Sequence, residues 1–274
     1  MACSLWLHEK HGNHNLFWHS RVRLDERIVR SDPYLHKVFT KTECEGPDSQ
    51  FLFAFIAGDG RSWIRAGRVS ADPTPTRALA IELMRRADSC GFVISRPCSF
   101  GLVEIDPSCE PSVWTTRRYS EDVIRSTAGV ISQELGSRRG LILVGVSGGG
   151  RIAAHVAARM PEVDAVVTLG TNLDLPGWLD HHGYTREILS YSAPIPGALR
   201  SGLISLHVVG TEDAVSPPEL TRAWLENRPQ GESLLELEGV DHGEGWIDAW
   251  PGVRDRVQQL SESSARRRSS SSTR

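Results

Sequence analysis

The stretch Leu141-Ile-Leu-Val-Gly145-Val146-Ser147-Gly148-Gly149-Gly150-Arg151 decides the fold. Leu141–Val146 is a short apolar run of the length and β-branched content expected of a buried strand. From Gly149 to Met160 the chain is Ala-rich and reads as a helix that Pro161 stops. Between them stands G-x-S-x-G, with Ser147 at its centre. A hydroxyl can be lifted above the end of a strand only by a sharp turn. Glycines two positions before and two after are then required, because a Cβ there would collide with the neighbouring strand or helix. The helix that follows aims its N-terminus at Ser147 and favours negative charge there. A phosphate loop is the rival reading of three consecutive glycines. The Walker pattern ends in Gly-Lys-Ser/Thr, and here Arg151-Ile152 stands in that place; G-x-G-x-x-G is not matched either.

Outward from this turn, strands and helices alternate. Strands are expected at Phe51–Ala57, Gly91–Ser95, Val163–Leu169, Leu203–Gly210 and Ser233–Leu237. Helices are expected across Arg77–Ala87, after the Ser120 cap with Glu121 and Asp122 in its first turn, after Pro217/Pro218, and across Trp246–Leu260. Such alternation predicts an α/β fold, a mostly parallel sheet covered by helices on both faces. The stretch 172–201, without a period and rich in Gly, Pro, Trp and Tyr, reads as a lid-like insertion over the sheet edge.

A serine hydroxyl is a weak nucleophile and needs a base and an orienting acid. For this kind of turn they follow in the order Ser, acid, His. Asp213 comes in the turn just after the strand ending at Gly210, and His242 in the turn after the last strand. In a parallel sheet both turns open on the same edge as Ser147. Ser147 is thus the candidate nucleophile, His242 the base and Asp213 the residue that holds the imidazole tautomer. Asp241 and Glu212 adjoin these candidates but point elsewhere, and Asp164 lies at the wrong end of its strand. His207 lies inside a strand, and His155 sits on the helix beyond Ser147. His181 and His182 fall in the insertion. Two backbone donors should face a developing oxyanion: Gly148 N–H and, from the loop Ala57-Gly58-Asp59-Gly60, Asp59 N–H. An aspartate carboxylate beside an oxyanion is unfavourable, so the Asp59 side chain is expected to turn away and bond its own loop. Trp63, Trp114, Trp178, Tyr184 and Trp246 are candidates for an aromatic pocket wall.

Composition bounds the remaining choices. The 274 residues are 39% apolar and 24% charged, with 31 Lys and Arg against 34 Asp and Glu, net −3. That balance is globular and offers no global basic field for nucleic acid. The longest apolar runs, Gly140–Val146 and Asp164–Gly170, are too short to span a bilayer. Residues 1–35 read as a partly ordered arm before a domain over 36–260. The arm carries His8, His11, His14 and His19, which read as solvated side chains and not as a metal site. Residues 261–274 read as a disordered Ser/Arg tail, solvated or, in a second reading, an arm for an anionic partner. Five cysteines, Cys3, Cys44, Cys90, Cys98 and Cys109, contain no C-x-x-C. Cys98 and Cys109 are either free thiols or a local disulfide.

The G-x-S-x-G turn at Gly145–Gly149 with Asp213 and His242 in order on a β/α scaffold resembles the α/β-hydrolase superfamily over about residues 36–260. Gly58-Asp59-Gly60-Arg-Ser-Trp63, Asp72-Pro73-Thr74-Pro75, Arg96-Pro97-Cys98 with Cys109, Trp114-Thr115-x-x-Arg118-Tyr119-Ser120 and Asn172-Leu-Asp174 are similar to an uncharacterised bacterial subgroup, some of whose members are lipoproteins. The resemblance implies an eight-stranded, mostly parallel sheet, a covalent acyl-enzyme and a paired Cys98–Cys109. Where the superfamily usually carries His-Gly at the oxyanion strand, this chain has Ala57-Gly58. The expectation is therefore a serine hydrolase acting on a small ester-like substrate without metal or organic cofactor. An amide or thioester, cleaved by a peptidase or thioesterase, is the second choice of bond, and an acyltransferase or a catalytically silent binding protein are the alternatives. As written the chain carries no secretory signal and reads as cytoplasmic. Met1-Ala2-Cys3-Ser4 resembles the end of a lipobox, so the other reading is an exported protein anchored through Cys3.

Overall fold

The computed structural model describes residues 24–41, 51–65, 67–87, 90–136, 140–196, 199–200, 202–228 and 232–271. The four N-terminal histidines and Cys3 lie outside them. In chain order the elements are β1 (Leu24–Ser31), β2 (Tyr34–Lys41), β3 (Leu52–Ile56), β4 (Trp63–Arg65), β5 (Arg68–Val69), α1 (Leu79–Arg86), β6 (Gly91–Ile94), α2 (Pro111–Trp114), α3 (Glu121–Leu135), β7 (Leu141–Val146) and α4 (Gly148–Arg159). β8 (Val163–Leu169), α5 (Leu175–His182), β9 (Ile204–Gly210), α6 (Pro218–Glu226), β10 (Glu232–Leu237) and α7 (Trp246–Ser271) complete the chain. Eight strands form one sheet in the order β1-β2-β6-β3-β7-β8-β9-β10. β2 pairs antiparallel with both its neighbours and the other pairs are parallel, so β2 alone runs against the rest. This is the α/β-hydrolase fold expected from the sequence.

Strand periodicity divides the core. On β7, Leu141 and Leu143 face one cluster, built with α3 and α4 through Val123, Ile131, Ile152 and Val156. Ile142, Val144 and Val146 face the other, built with α1 and α7. There Trp250 is buried edge-on against Phe53 and Phe55, with ring centroids 6.3 and 5.4 Å away. β7 is therefore apolar at every position because both its faces are covered. α3 begins where Ser120 Oγ accepts from Val123 N–H, with Glu121 and Asp122 in the first turn. No helix among the described residues is long and apolar enough to cross a membrane.

Both ends of the chain carry regular structure beyond the expected 36–260 domain. The sheet begins at Leu24, inside the stretch read as an arm, because β1 needs to satisfy a hydrogen-bond ladder only with β2. Its Asp25, Glu26 and Arg27 are exposed, and such charges blunt an edge strand against further pairing. At the other end α7 continues to Ser271, so the run read as a disordered tail is helical for most of its length. Ser261, just past the expected boundary, is buried and its Oγ donates to Val257 O. Ala265 and three arginines after it are favourable helix formers.

β2 also buries a titratable group. The His36 ring lies between Ser95 O on one side (Nδ1, 3.0 Å) and Ser126 Oγ on the other (Nε2, 2.7 Å). Burial pushes its pKa down to about 4, and the Arg96 charge adds to this against the Ser95 bond. The unfolded chain takes up this proton near pH 6.5, whereas the folded chain resists it down to about pH 4. Stability from this group is complete above that range and is lost as pH falls through it, by about 3 kcal/mol. Urea unfolding of wild type and His36→Gln between pH 7 and pH 4 should show a shallower acid loss in the variant. Equal slopes would remove His36 from the account.

Candidate active site

Ser147 sits at the carboxyl end of β7 with φ 51°, a left-handed conformation that a side-chain-bearing residue adopts only where its surroundings enforce it. Close backbone approach is what enforces it. A Cβ on Gly145 would stand 2.3 Å from Gly150 Cα, and one on Gly149 would stand 2.4 Å from Ile56 O. Ser147 N–H donates to Leu169 O at 2.8 Å, tying the turn to β8. The helix α4 starts at the next residue, so its unpaired N-terminal N–H groups open on the serine.

Three side chains named from the sequence meet here. His242 Nε2 is 3.1 Å from Ser147 Oγ. His242 Nδ1 is 2.8 Å from Asp213 Oδ2 and 3.1 Å from Oδ1. Asp213 is buried, and its Oδ1 accepts from Val215 N–H (2.9 Å) and Ser216 N–H (2.7 Å) in its own turn. Those donors fix the carboxylate and leave Oδ2 for the imidazole. Asp241 does something different: its Oδ1 accepts from Gly243 and Glu244 N–H at 2.7 Å each, and these bonds hold its carboxyl below the usual range. It shapes the histidine turn. Arg77 braces the same turn by donating to Gly243 O and pairing with Glu244.

Asp59 corrects the sequence expectation. Its side chain does not bond its own loop. Oδ1 pairs with Arg96 Nη1 at 2.6 Å, and Oδ2 pairs with Arg118 Nε at 3.0 Å and accepts from the Tyr119 hydroxyl. Burial would raise the Asp59 pKa, but the charges of Arg118 and Arg96 and the Tyr119 bond hold it below the usual range. Tyr119, fully buried and next to this carboxylate, is pushed up and stays a neutral donor. Three guanidinium groups surround its ring: Arg96 at 5.7 Å, Arg118 at 5.1 Å and Arg151 at 5.4 Å. Burial brings Arg151 down to about 10, and its Nη atoms donate to Asn172, Leu173 and Ala193 carbonyls, so it also holds the insertion. The Asp59 carboxylate lies against Gly148, where a Cβ would come within 2.1 Å of Oδ1. A side chain at 148 would therefore push the Asp59 carboxylate off its partners. Only the short runs around Arg96 and Arg118-Tyr119 hinted at this cluster in the sequence.

A cavity of about 390 Å³ opens beside Ser147 and His242. Its walls include Leu79, Ile81, Val93, Phe100 and Trp178, with Gly60 and Arg61 beside Asp59. Of the five aromatic candidates only Trp178 lines it. Trp114 is buried, its Nε1–H on Ser70 O. Trp246 is buried beneath the histidine and donates to His242 O. Tyr184 is exposed and packs on Trp178 and His182, and Trp63 is exposed on β4. Chain direction at each site, invisible in composition, made the difference. α5, inside the insertion, is pinned to the acid's turn: Trp178 Nε1–H donates to Val215 O at 2.6 Å, and His182 Nε2 stands 3.0 Å from the same oxygen. Cys98 and Cys109 are joined as a disulfide, with Cα atoms 5.6 Å apart. The bond closes the loop that carries Phe100 to the cavity. That loop is strained, with φ 67° at Cys98 and 58° at Phe100.

Known proteins share this architecture. A puromycin hydrolase variant complexed with PGG superposes with a TM-score of 0.59 and 16% identity, over 89% of this chain and 39% of that one. This chain therefore spans well under half of that protein. An α/β serine hydrolase without a lid from Xanthomonas campestris gives 0.56 and 13%, over 86% of this chain and 94% of that one. The esterase domain of a Rhodothermus marinus protein gives 0.55 and 14%, over 87% and 97%. At these identities the likeness is one of fold. No curated protein matches the sequence. With more than half of its length, residues 104–259, matched to the α/β hydrolase fold, the chain belongs to the α/β-hydrolase family.

Proposed function

We propose that the protein is a serine hydrolase that cleaves carboxylic esters through an acyl-enzyme. The observation that carries this reading is the continuous chain of hydrogen-bond distances from Ser147 Oγ through His242 to Asp213 at the mouth of an apolar cavity. In the proposed cycle Ser147 Oγ attacks the carbonyl carbon and its proton passes to His242 Nε2. Asp213 stabilises the imidazolium through Nδ1. The oxyanion is met by Gly148 N–H at the start of α4 and by Asp59 N–H. The C–O bond to the alcohol breaks, and His242 returns the proton to the leaving oxygen. Water then repeats the sequence on the acyl-serine and releases the acid. His242 is 26% exposed, which leaves water a path to the acyl-enzyme. The acyl group is expected against Val93, Phe100 and Leu79. The Cys98–Cys109 bond favours the exported alternative, since such bonds persist outside a reducing cytosol.

The Asp59 cluster has a specific part in this scheme. The second oxyanion donor is only as well placed as the loop that bears it. In this scheme Asp59 anchors that loop through its side chain and leaves its N–H as the second donor, and the arginines neutralise the carboxylate that would otherwise oppose an oxyanion.

A fluorophosphonate should add once to the purified protein and not to Ser147→Ala, as read by intact mass; an unmodified wild type would overturn the proposal. Asp213→Asn should lower kcat by about 10⁴-fold through the wrong imidazole tautomer. A loss of that size from Asp241→Asn instead would mean that the acid is misassigned. Asp59→Asn should cost about 100-fold in kcat with little change in KM, and about 3 kcal/mol of stability by leaving buried guanidinium charge uncompensated. A variant with wild-type kcat would show that the Asp59 carboxylate does not govern the placement of the second donor.

A further inference from the structure

The β4–β5 ribbon stands beside the cavity and takes no part in the scheme above. It pairs Trp63 with Val69 and Arg65 with Arg68 around a turn at Gly67. All three β4 residues are exposed, so both faces of the strand meet solvent. Trp63 is 46% exposed and Ile64 42%. Two large apolar side chains on adjacent, opposite-facing positions cannot both be served by packing on the body of the protein. Around them the sequence from Gly60 to Ala71 contains Arg61, Arg65 and Arg68 and no carboxylate, in a chain of net charge −3. Among the described residues none of these three guanidinium groups pairs with an acid. The ribbon's base is firm: Ser70 N–H donates to Ser62 O, Arg61 N–H to Pro73 O, and Trp114 Nε1–H to Ser70 O. Through this base, Gly60 and Arg61 join the ribbon directly to the cavity mouth.

We propose that this ribbon docks the protein on an anionic lipid bilayer. Charge complementarity selects the occupant. Arginines that lack acids meet headgroup phosphates, and Trp63 beside them suits the headgroup level where tryptophan is enriched. A second copy seated face to face would bring six of these guanidinium groups together, which opposes self-association through this patch. Docking turns the cavity mouth toward the membrane. Resting on the hydrolase reading, this would make bilayer-resident esters the substrate class.

The test uses Ser147→Ala protein, so that binding is measured whether or not the serine is catalytic. It is sedimented with phosphatidylcholine vesicles containing about one third phosphatidylglycerol, and with phosphatidylcholine alone. Binding is expected to the anionic vesicles only, and should weaken as salt screens the charges. Arg65→Gln with Arg68→Gln should weaken partitioning about 30-fold. Trp63→Ser with Ile64→Ser should abolish the binding that survives high salt. Thermal melts of both pairs should match the parent, because the altered side chains are exposed. No binding to anionic vesicles, or equal binding by parent and both variant pairs, would overturn the proposal. So would a concentration-dependent dimer, seen by light scattering, that the same substitutions dissolve.

Discussion

The backbone around Ser147 leaves no room. With Gly145 against Gly150 and Gly149 against the carbonyl of Ile56, the chain can turn from β7 into α4 only through a serine with positive φ. Because β3 and β8 flank β7, their own carboxyl ends must open beside the serine. The loop after β3 brings Asp59, and the turns after β9 and β10 bring Asp213 and His242. A parallel sheet gathers its loops on one edge, and the tight turn at the centre sets the point toward which they converge.

Convergence alone does not hold a loop still. Each loop here has its own anchor, and none of the anchors touches the serine oxygen. Asp213 is held by the N–H groups of its own turn. The histidine turn is shaped by Asp241 and braced by Arg77. The Asp59 loop hangs on Arg96, Arg118 and Tyr119. Val215 links two of these devices, since its N–H serves Asp213 while its carbonyl receives Trp178 from the insertion. The acid and the cavity wall therefore share one peptide unit.

The fold was legible because one strand–turn–helix carries its own steric argument, and because alternating apolar runs need a covered parallel sheet. Asp213 and His242 were legible because chain order and strand ends restrict where they can be. β1 was not legible: an edge strand satisfies one ladder, needs little apolar pattern and carries charges instead. Nor was the role of the Asp59 carboxylate, because Arg96, Arg118 and Tyr119 come from a separate part of the chain at spacings that no local rule covers. The tryptophans misled for a related reason. Composition counts rings without directions, and Trp246 turned under the histidine while Trp63 turned into solvent.

The Cys98–Cys109 bond gives the cavity a history. Its loop sets Phe100 in the wall and, through Arg96 two residues earlier, reaches the Asp59 carboxylate. A chain made in a reducing cytosol would carry Ser147, His242 and Asp213 unchanged, yet would lack the covalent clamp on this strained loop. Two preparations of identical sequence would then differ in how well the wall is formed. Free-thiol content thus belongs beside every rate measured on this protein, as part of the definition of the molecule being assayed.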